Sequence, residues 1–299
     1  MNYVRIPFNF AALPSEFSSY ERAGFVVVPI PYDVTESCIP GARFGPRAII
    51  SASRNLELFD EELRVNIGGA GIATLDEPVI SVIPEEMKAI VREMVSPIIA
   101  DKKIPLVLGG EHSISVGVVE ELKEHSKGMS VLQIDAHADL RDKFDGSSLS
   151  HACVMRRIAE LCPTVQVGIR SVSDDEMDFI RDNKLKLLWA YDIRNRALNS
   201  WVKEAVSRLS DNVYITIDLD GLDTSIMPAV GTPEPGGLLW HEVTHLLRSV
   251  AEKRHVIGFD VVGLCPCHPA SEFTAARLVM KMIAYIHYYK RARNKRVRK

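Results

Sequence analysis

The chain has 299 residues, of which 46% are hydrophobic and 25% charged, the ordinary composition of a globular protein. This composition excludes disorder of the whole chain, and 18 glycines and 16 prolines are too few for a fibrous or linker-dominated one. The net charge is −3, and because seven positive charges lie in the last ten residues, the rest carries −10. Such an acidic body argues against nucleic acid as a partner, because phosphate binding needs a basic face.

Nearly continuous apolar runs alternate along the chain with helix-like stretches. The predicted strands are Phe25–Ile30, a short Gly71–Thr74, Ile104–Leu108, Ser130–Ile134, Thr164–Val167, Leu185–Trp189, Val213–Ile217 and Val256–Phe259. The predicted helices are Pro84–Ala100, Val116–His125, Asp174–Asp182, Leu198–Leu209, Trp240–Lys253 and Ser271–Arg291, the last with Ser271 as its cap. Strands that are apolar on both faces are typical of a covered parallel sheet, so the alternation predicts an α/β fold.

The pattern has no linker-like boundary, which favours a single domain over residues 1–299 with a basic tail at about 290–299. We interpret the tail as a solvated helix end, where cations are favoured, although RNA, a membrane surface or an acidic neighbour also attracts such a charge run. Five cysteines with loose spacing indicate no disulfide framework. No apolar run approaches the roughly 20 residues that cross a bilayer, so we expect a cytoplasmic protein without a membrane partner.

Three clusters of polar residues lie directly after three of the predicted strands. They are Gly109–Ser113, Asp135–Asp139 and Asp218–Asp223. In open α/β sheets, ligands bind beyond the carboxyl ends of the strands, so these clusters are expected to converge on one site. Residues i and i+2 of an extended backbone point the same way, so Asp135, His137 and Asp139 project together. The same spacing joins Asp218 and Asp220.

With His112, these side chains make four carboxylates and two imidazoles. Carboxylates crowded together without a cation repel one another and raise each other's pKa, which bound metal ions prevent. Six ligands exceed the four of a tetrahedral zinc, so two ions that share carboxylates fit better. Oxygen-rich ligation with some imidazole favours manganese, and two such ions make a shared water acidic enough to act as a nucleophile. A lone strand-end aspartate is usually a cap or turn residue, so the prediction depends on the three clusters together.

The order of these motifs resembles that of the ureohydrolase family, which comprises arginases, agmatinases and their relatives. The resemblance covers most of the chain, and the metal motifs are its most specific part. It extends to Pro29–Asp33, Gly41–Pro46, Gly231–Gly237 and Gly258–Val262. It implies a three-layer α/β/α fold with a doubly wound, mainly parallel eight-stranded sheet, usually assembled into trimers or hexamers.

The resemblance also implies a ligand set for two Mn²⁺ ions per subunit. One ion is expected on His112, Asp135, Asp139 and Asp218. The other is expected on Asp135, His137, Asp218 and Asp220. In this scheme Asp135 and Asp218 bridge the two ions.

The segment after the second cluster, residues 140–152, resembles the agmatinase branch, in which an L-R-x-x-x-x-G stretch leads to Ser-His. Arginases resemble it less here, because they use this loop to grip an α-amino acid. His151 matches the family histidine that passes protons to the leaving amine, whereas an isolated histidine is more often a surface or capping residue. His151 and Asp139 are therefore the predicted catalytic residues.

Two positions depart from the family pattern. Thr224 stands where the family has proline, and Gly263 stands where it has a glutamate that pairs with the substrate guanidinium. Removing one partner of a buried ion pair costs about 3–5 kcal/mol, so the second departure needs an explanation. Another carboxylate replaces the glutamate, with Glu234 and Glu272 as candidates, or the substrate differs, or catalysis is lost while the metals remain.

The sequence thus predicts a binuclear manganese hydrolase that releases urea from a guanidino-amine. The substrate is agmatine, which gives putrescine, or N1-aminopropylagmatine, which gives spermidine. The alternatives are a hydrolase of another C–N bond, of formimino or amidine type, and a catalytically impaired, metal-stabilised binding protein. A Gly263→Glu variant is expected to separate them, because gain of urea release from an inactive parent indicates lost catalysis.

Overall fold

The computed structural model describes the backbone of residues 6–297 and the side chains of residues 6–293. Its strands are β1 (Phe25–Ile30), β2 (Phe59–Asp60), β3 (Val65–Asn66), β4 (Ile72–Thr74), β5 (Ile104–Gly109), β6 (Met129–Ile134), β7 (Thr164–Ile169), β8 (Leu188–Trp189), β9 (Asn212–Asp218) and β10 (His255–Val262). Its α-helices are α1 (Ser15–Ser18), α2 (Gly45–Ser53), α3 (Pro84–Ala100), α4 (Ser115–His125), α5 (Val154–Leu161), α6 (Asp174–Asp182), α7 (Ala190–Arg194), α8 (Leu198–Ser207), α9 (Trp240–Lys253) and α10 (Pro269–Val297).

Eight of the strands form one sheet, in the order β4-β1-β5-β10-β9-β6-β7-β8. Neighbouring strands pair in parallel throughout this sheet. β2 and β3 form a separate antiparallel pair. The predicted doubly wound, parallel, eight-stranded sheet is confirmed, and its four central strands are β5, β10, β9 and β6.

Helices cover both faces of the sheet, because successive side chains of a strand enter opposite cores. In β1, Phe25 and Val27 belong to the core under α2, α8, α9 and α10. Val26 and Val28 belong to the core under α3, α4, α5 and α6. Burial on both faces explains the continuously apolar strand sequences, and the predicted three-layer arrangement is confirmed.

Several predicted boundaries differ from the structure. The strand expected over Leu185–Trp189 keeps only its last two residues, at the edge of the sheet, where the pairing with β7 shifts in register. Helices α1, α2, α5 and α7 and the β2–β3 pair were not predicted; each of these elements has nine residues or fewer. Helix α10 begins at Pro269, so Ser271 lies inside its first turn and does not cap it.

Most of the predicted basic tail is the end of helix α10, and residues 298–299 lie outside the described residues. Arg293 donates hydrogen bonds from Nη1 to the carbonyl oxygens of Ala251 and Arg254, at 2.9 and 3.0 Å. These carbonyls lie at the end of α9, so this charge stabilises a helix terminus. Within residues 6–297, no helix has both the length and the apolar surface that crossing a bilayer requires.

Candidate metal centre

The three polar clusters meet at the carboxyl end of the sheet. β5 leads to His112, β6 leads to 135–139, and β9 ends at Asp218 with Asp220 just beyond. Because β5, β10, β9 and β6 are adjacent, their ends surround one cavity of about 260 Å³. The fold therefore brings the side chains predicted from separate motifs to one place.

His112 forms the centre of the first ligand group. Its Nδ1 lies 3.0 Å from Asp135 Oδ2, 3.0 Å from Asp139 Oδ2 and 3.6 Å from Asp218 Oδ2. The side chain is 2% exposed, and Nδ1 is a buried atom without a hydrogen-bond partner. An unpartnered imidazole nitrogen that faces carboxylate oxygens is the arrangement that a divalent cation satisfies.

The opposite ring nitrogen of His112 explains why Nδ1 is available. Thr216 Oγ1 donates a hydrogen bond to Asp260 Oδ1 at 2.6 Å, so it accepts one from His112 Nε2 at 2.8 Å. Asp260 is fully buried and also accepts from Ser115 Oγ and the Tyr214 hydroxyl. A proton on Nε2 leaves the lone pair of Nδ1 for a metal, as in other metal sites where the second nitrogen is held by a hydrogen bond.

His137 forms the second ligand group. Its Nδ1 lies 3.0 Å from Asp220 Oδ2 and 3.6 Å from Asp135 Oδ1. In each group the possible ligand atoms lie within 4.8 Å of one another, and Asp135 belongs to both groups. Gln133 Nε2 donates to Asp135 Oδ2 at 2.7 Å and fixes this carboxylate. Asp135 therefore lies between the two groups, whereas Asp218, the second residue predicted to bridge the ions, belongs to neither of them.

Asp139 reaches the cluster by a route that the sequence pattern did not predict. The spacing argument for Asp135, His137 and Asp139 assumed an extended backbone. Asp139 instead has a φ of +53°, in the left-handed region. A residue other than glycine in this region costs energy of order 1–3 kcal/mol, which the surrounding structure must offset. The backbone carbonyl of Asp139 accepts hydrogen bonds from the first turn of α5, at Met155 and Arg156, which holds the conformation.

The electrostatics of the cluster favour bound cations. Burial, with the charge of Asp135, raises the pKa of Asp139 to about 7. Burial, with repulsion from Asp220 and Asp135, raises the pKa of Asp218 well above its usual range. Positive charge at the centre of the cluster would restore the ionised form of these carboxylates. The donor set and the unpartnered His112 nitrogen therefore fit two divalent cations.

His151 lies on the wall of the same cavity, at the start of a short helical turn. Its Nδ1 is 3.4 Å from Thr35 Oγ1, its Nε2 is 3.3 Å from Ser37 Oγ, and its ring meets the ring of Phe144 edge-on. Burial lowers the pKa of His151 to about 4, so the imidazole is neutral at pH 7. Sequence reasoning did not identify Thr35 and Ser37, although they follow β1 as the metal clusters follow their strands.

The two glutamates predicted to replace the family's guanidinium-binding residue do not line the cavity. Glu234 lies in a loop, and its backbone carbonyl accepts a hydrogen bond from Arg170 Nη2 at 2.8 Å. Glu272 lies in the first turn of α10. Three other glutamates line the cavity instead: Glu36, Glu111 and Glu176. The expectation for Glu234 and Glu272 is therefore not supported by their positions.

The surroundings of Gly263 leave no room for the glutamate that the family has at this position. Its φ is +83°, and a Cβ atom at this position would lie 2.3 Å from Asp218 Oδ1. A side chain at residue 263 thus conflicts with a predicted metal ligand as well as with the backbone conformation. The Gly263→Glu variant is consequently not a simple restoration of the family glutamate.

Comparisons with known proteins identify the family of this chain. The family model described as "Arginase family" matches residues 23–287. An N(1)-aminopropylagmatine ureohydrolase of a Synechocystis species is 39% identical over 298 residues, which covers 93% of this chain and 96% of that protein. The enzyme of the same name from Thermus thermophilus is 40% identical over 267 residues, covering 88% and 90%.

A solved structure has the same fold over almost the whole chain. It is the agmatine ureohydrolase of Thermoplasma volcanium, with a TM-score of 0.88, 34% identity and 96% of each chain covered. The resemblance seen in the sequence motifs is confirmed, and the chain belongs to the arginase family.

Proposed function

We propose that this chain hydrolyses a linear guanidino-amine and releases urea, with two divalent cations as cofactors. The observation that carries the proposal is the pair of ligand groups that share Asp135 in a cavity whose wall holds His151. Because the Synechocystis and Thermus relatives are named for N1-aminopropylagmatine, we place this substrate first and agmatine second. The amine products are spermidine and putrescine, respectively.

The cations would be held by the six residues of the predicted ligand set: His112, Asp135, His137, Asp139, Asp218 and Asp220. Four carboxylates and two imidazoles favour manganese among the divalent metals. When bound, the two cations supply an acidified water and stabilise charge that develops at the guanidino carbon.

The protein's own side chains handle the proton. A neutral His151 takes up a proton as water adds to the guanidino carbon. It returns that proton to the nitrogen of the alkyl amine as the C–N bond breaks, so that urea and the amine leave. Thr35 and Ser37 hold the ring at the cavity wall through contacts with both of its nitrogens.

Compartment and assembly complete the proposal. All five cysteines are free, which suits a reducing cytoplasmic environment. Val34, Ile39 and Phe44 are exposed apolar side chains in the segment after β1, which suits a homo-oligomer, expected as a trimer or hexamer. Light scattering of the purified chain measures the subunit number, and a monomer would contradict this part of the proposal.

Variants of the shared ligands test the function. Asp135→Asn and Asp218→Asn are expected to lose both metal loading, measured by elemental analysis, and urea release from N1-aminopropylagmatine. Asp211→Asn is the matched control, because the side chain of Asp211 is 97% exposed and far from the sheet's carboxyl end. Full activity in Asp135→Asn or Asp218→Asn would contradict the metal assignment.

A further inference from the structure

A guanidinium cation in the cavity needs a carboxylate that is not occupied by the metals. Among the described residues, the carboxylates that line the cavity outside the predicted ligand set belong to Glu36, Glu111 and Glu176. Two of them have their oxygens committed to hydrogen bonds of 2.8 Å or less within the protein, whereas the third accepts only hydrogen bonds of 3.2 Å or longer.

Glu111 is 3% exposed, and its carboxylate accepts three short hydrogen bonds. Thr35 donates from its backbone nitrogen at 2.6 Å and from Oγ1 at 2.5 Å, and Ser113 donates from Oγ at 2.5 Å. These bonds hold Thr35 against His151. Glu111 therefore fixes the geometry of the wall and has little capacity left for a ligand.

Glu176 is likewise committed. It accepts hydrogen bonds from the backbone nitrogen and the hydroxyl of Ser173, both at 2.8 Å, at the start of α6. It also accepts from the backbone nitrogen of Leu140 at 2.8 Å. Its role is to cap a helix and to anchor the loop after β6.

Glu36 is different because only weak donors reach it. Backbone nitrogens of Gly41 and Ala42 lie 3.2 and 3.4 Å from Oε2, and Cys265 Sγ lies 3.6 Å from Oε1. Among the side chains that the structure describes, no lysine, arginine or histidine forms an ion pair with it, and the neighbouring Arg43 is paired with Asp33. Burial raises the pKa of Glu36, as expected for a carboxylate without a cation.

The surroundings of Glu36 leave a path to the metal ligands. Its Oε1 lies 2.6 Å from the position of a Cβ atom on Gly231, so glycine at residue 231 makes room for it. The next residue, Thr232, donates from Oγ1 to Asp220 at 3.0 Å. Gly231 and Gly263 both line the cavity, and neither places a side chain between Glu36 and the cluster.

We propose that Glu36 binds the guanidinium group of the substrate and supplies the negative charge that Gly263 does not. The proposal rests on the proposed function for the identity of the cation. It depends on position: Glu36 is a carboxylate on the cavity wall that lies outside the proposed ligand set, forms no ion pair with the side chains that the structure describes and accepts only long hydrogen bonds.

Binding and turnover together test this assignment in the manganese-loaded protein. Calorimetry measures the affinity for methylguanidine, which carries the guanidinium group without a second amine, and a urea assay measures kcat/KM for N1-aminopropylagmatine and for agmatine. Glu36→Gln keeps a hydrogen-bond acceptor for the weak donors and removes the charge. It is expected to lower both quantities about 100-fold, the range of a charge-assisted hydrogen bond, while two metals per chain remain bound.

Two further variants serve as controls for the assignment of Glu36. Glu36→Asp keeps the charge on a shorter side chain and is expected to recover part of both quantities. It keeps the assignment testable if Glu36→Gln folds poorly. Glu77→Gln removes the same charge from an exposed loop position and is expected to match the wild type. Melting temperatures of all the variants report on folding independently of the site.

The outcomes separate the two proposals. If the wild type releases no urea from N1-aminopropylagmatine or from agmatine, but binds methylguanidine with an affinity that Glu36→Gln lowers, the proposed function fails and the assignment of Glu36 stands. If the wild type is active and Glu36→Gln stays within about threefold of it in both quantities, the assignment of Glu36 is overturned. It is also overturned if the wild type does not bind methylguanidine, or if Glu36→Gln lowers kcat/KM but not the affinity for methylguanidine, since Glu36 would then bind the distal amine.

Discussion

A methyl group added at residue 263 tests the tight packing beneath the metal cluster. In Gly263→Ala, the new Cβ would lie 2.3 Å from Asp218 Oδ1 at a φ of +83°. The left-handed conformation alone costs about 1–2 kcal/mol for alanine. Reaching even a tight contact of 3.0 Å moves the carboxylate by about 0.7 Å, which exceeds the tolerance of about 0.2 Å typical of metal–ligand distances. We expect metal affinity to fall about 10- to 100-fold, as when other supports of metal ligands are removed.

Gly236→Ala is the matched control, because Gly236 has a φ of +82° and no atom lies within 4 Å of the place that its Cβ would take. Both variants are expected to lose similar stability in the metal-free state, about 2–4 °C in melting temperature. Only Gly263→Ala is expected to lose metal in competition with a chelator and, with it, urea release. Equal metal affinity in the two variants would refute the claim that Asp218 occupies the space beside residue 263.

Three other predictions concern the supports of the site and of the fold. Thr216→Val removes the acceptor for His112 Nε2 and is expected to weaken metal binding about 10- to 100-fold, measured by chelator competition; unchanged affinity would contradict the orienting role. His151→Asn is expected to keep both metals and to lower kcat about 100- to 10,000-fold. Burial holds the pKa of His151 near 4, below the ordinary 6.5, so the unfolded chain binds the proton first as the pH falls. The wild type should therefore lose stability more steeply than this variant between pH 6.5 and pH 4. Parallel stability curves of the two proteins would argue against the burial of His151. Asp60 is 5% exposed and lies 2.9 Å from Lys281 Nζ, so Lys281→Met leaves a buried carboxylate without this cation. The free energy of unfolding in denaturant should fall by about 3–5 kcal/mol, and an unchanged unfolding midpoint would contradict this prediction.

Much of the fold was accessible from the sequence because buried parallel strands have a strong signal. Their apolar runs gave the central strands to within a few residues, and the polar residues after them gave the end of the sheet where the site lies. The edge strand β8 was overpredicted, because an apolar run by itself does not indicate how many residues find a partner. The β2–β3 pair and helices α2 and α5 were missed, because segments of two to nine residues contain few repeats of an apolar pattern.

The proposed metal ligands and the proposed guanidinium-binding residue differ in how the sequence encodes them. The six proposed ligands lie in three compact motifs that each follow a strand, so the motifs taken together indicate them. Glu36 lies in a loop after β1, about 230 residues before Gly263, and only the sheet order places β1 beside β5 and the site. Glu234 and Glu272 were proposed from their proximity to motifs in the sequence, and the three-dimensional structure places them outside the cavity.

The most direct test of the central claim is urea release by the purified, manganese-loaded protein, with the metal content measured in the same sample. N1-aminopropylagmatine, agmatine, arginine and guanidinobutyrate are compared as substrates. We predict two metals per chain and urea from N1-aminopropylagmatine or agmatine, with spermidine or putrescine in equal amount. Two bound metals with no urea from any of the four compounds would contradict the account.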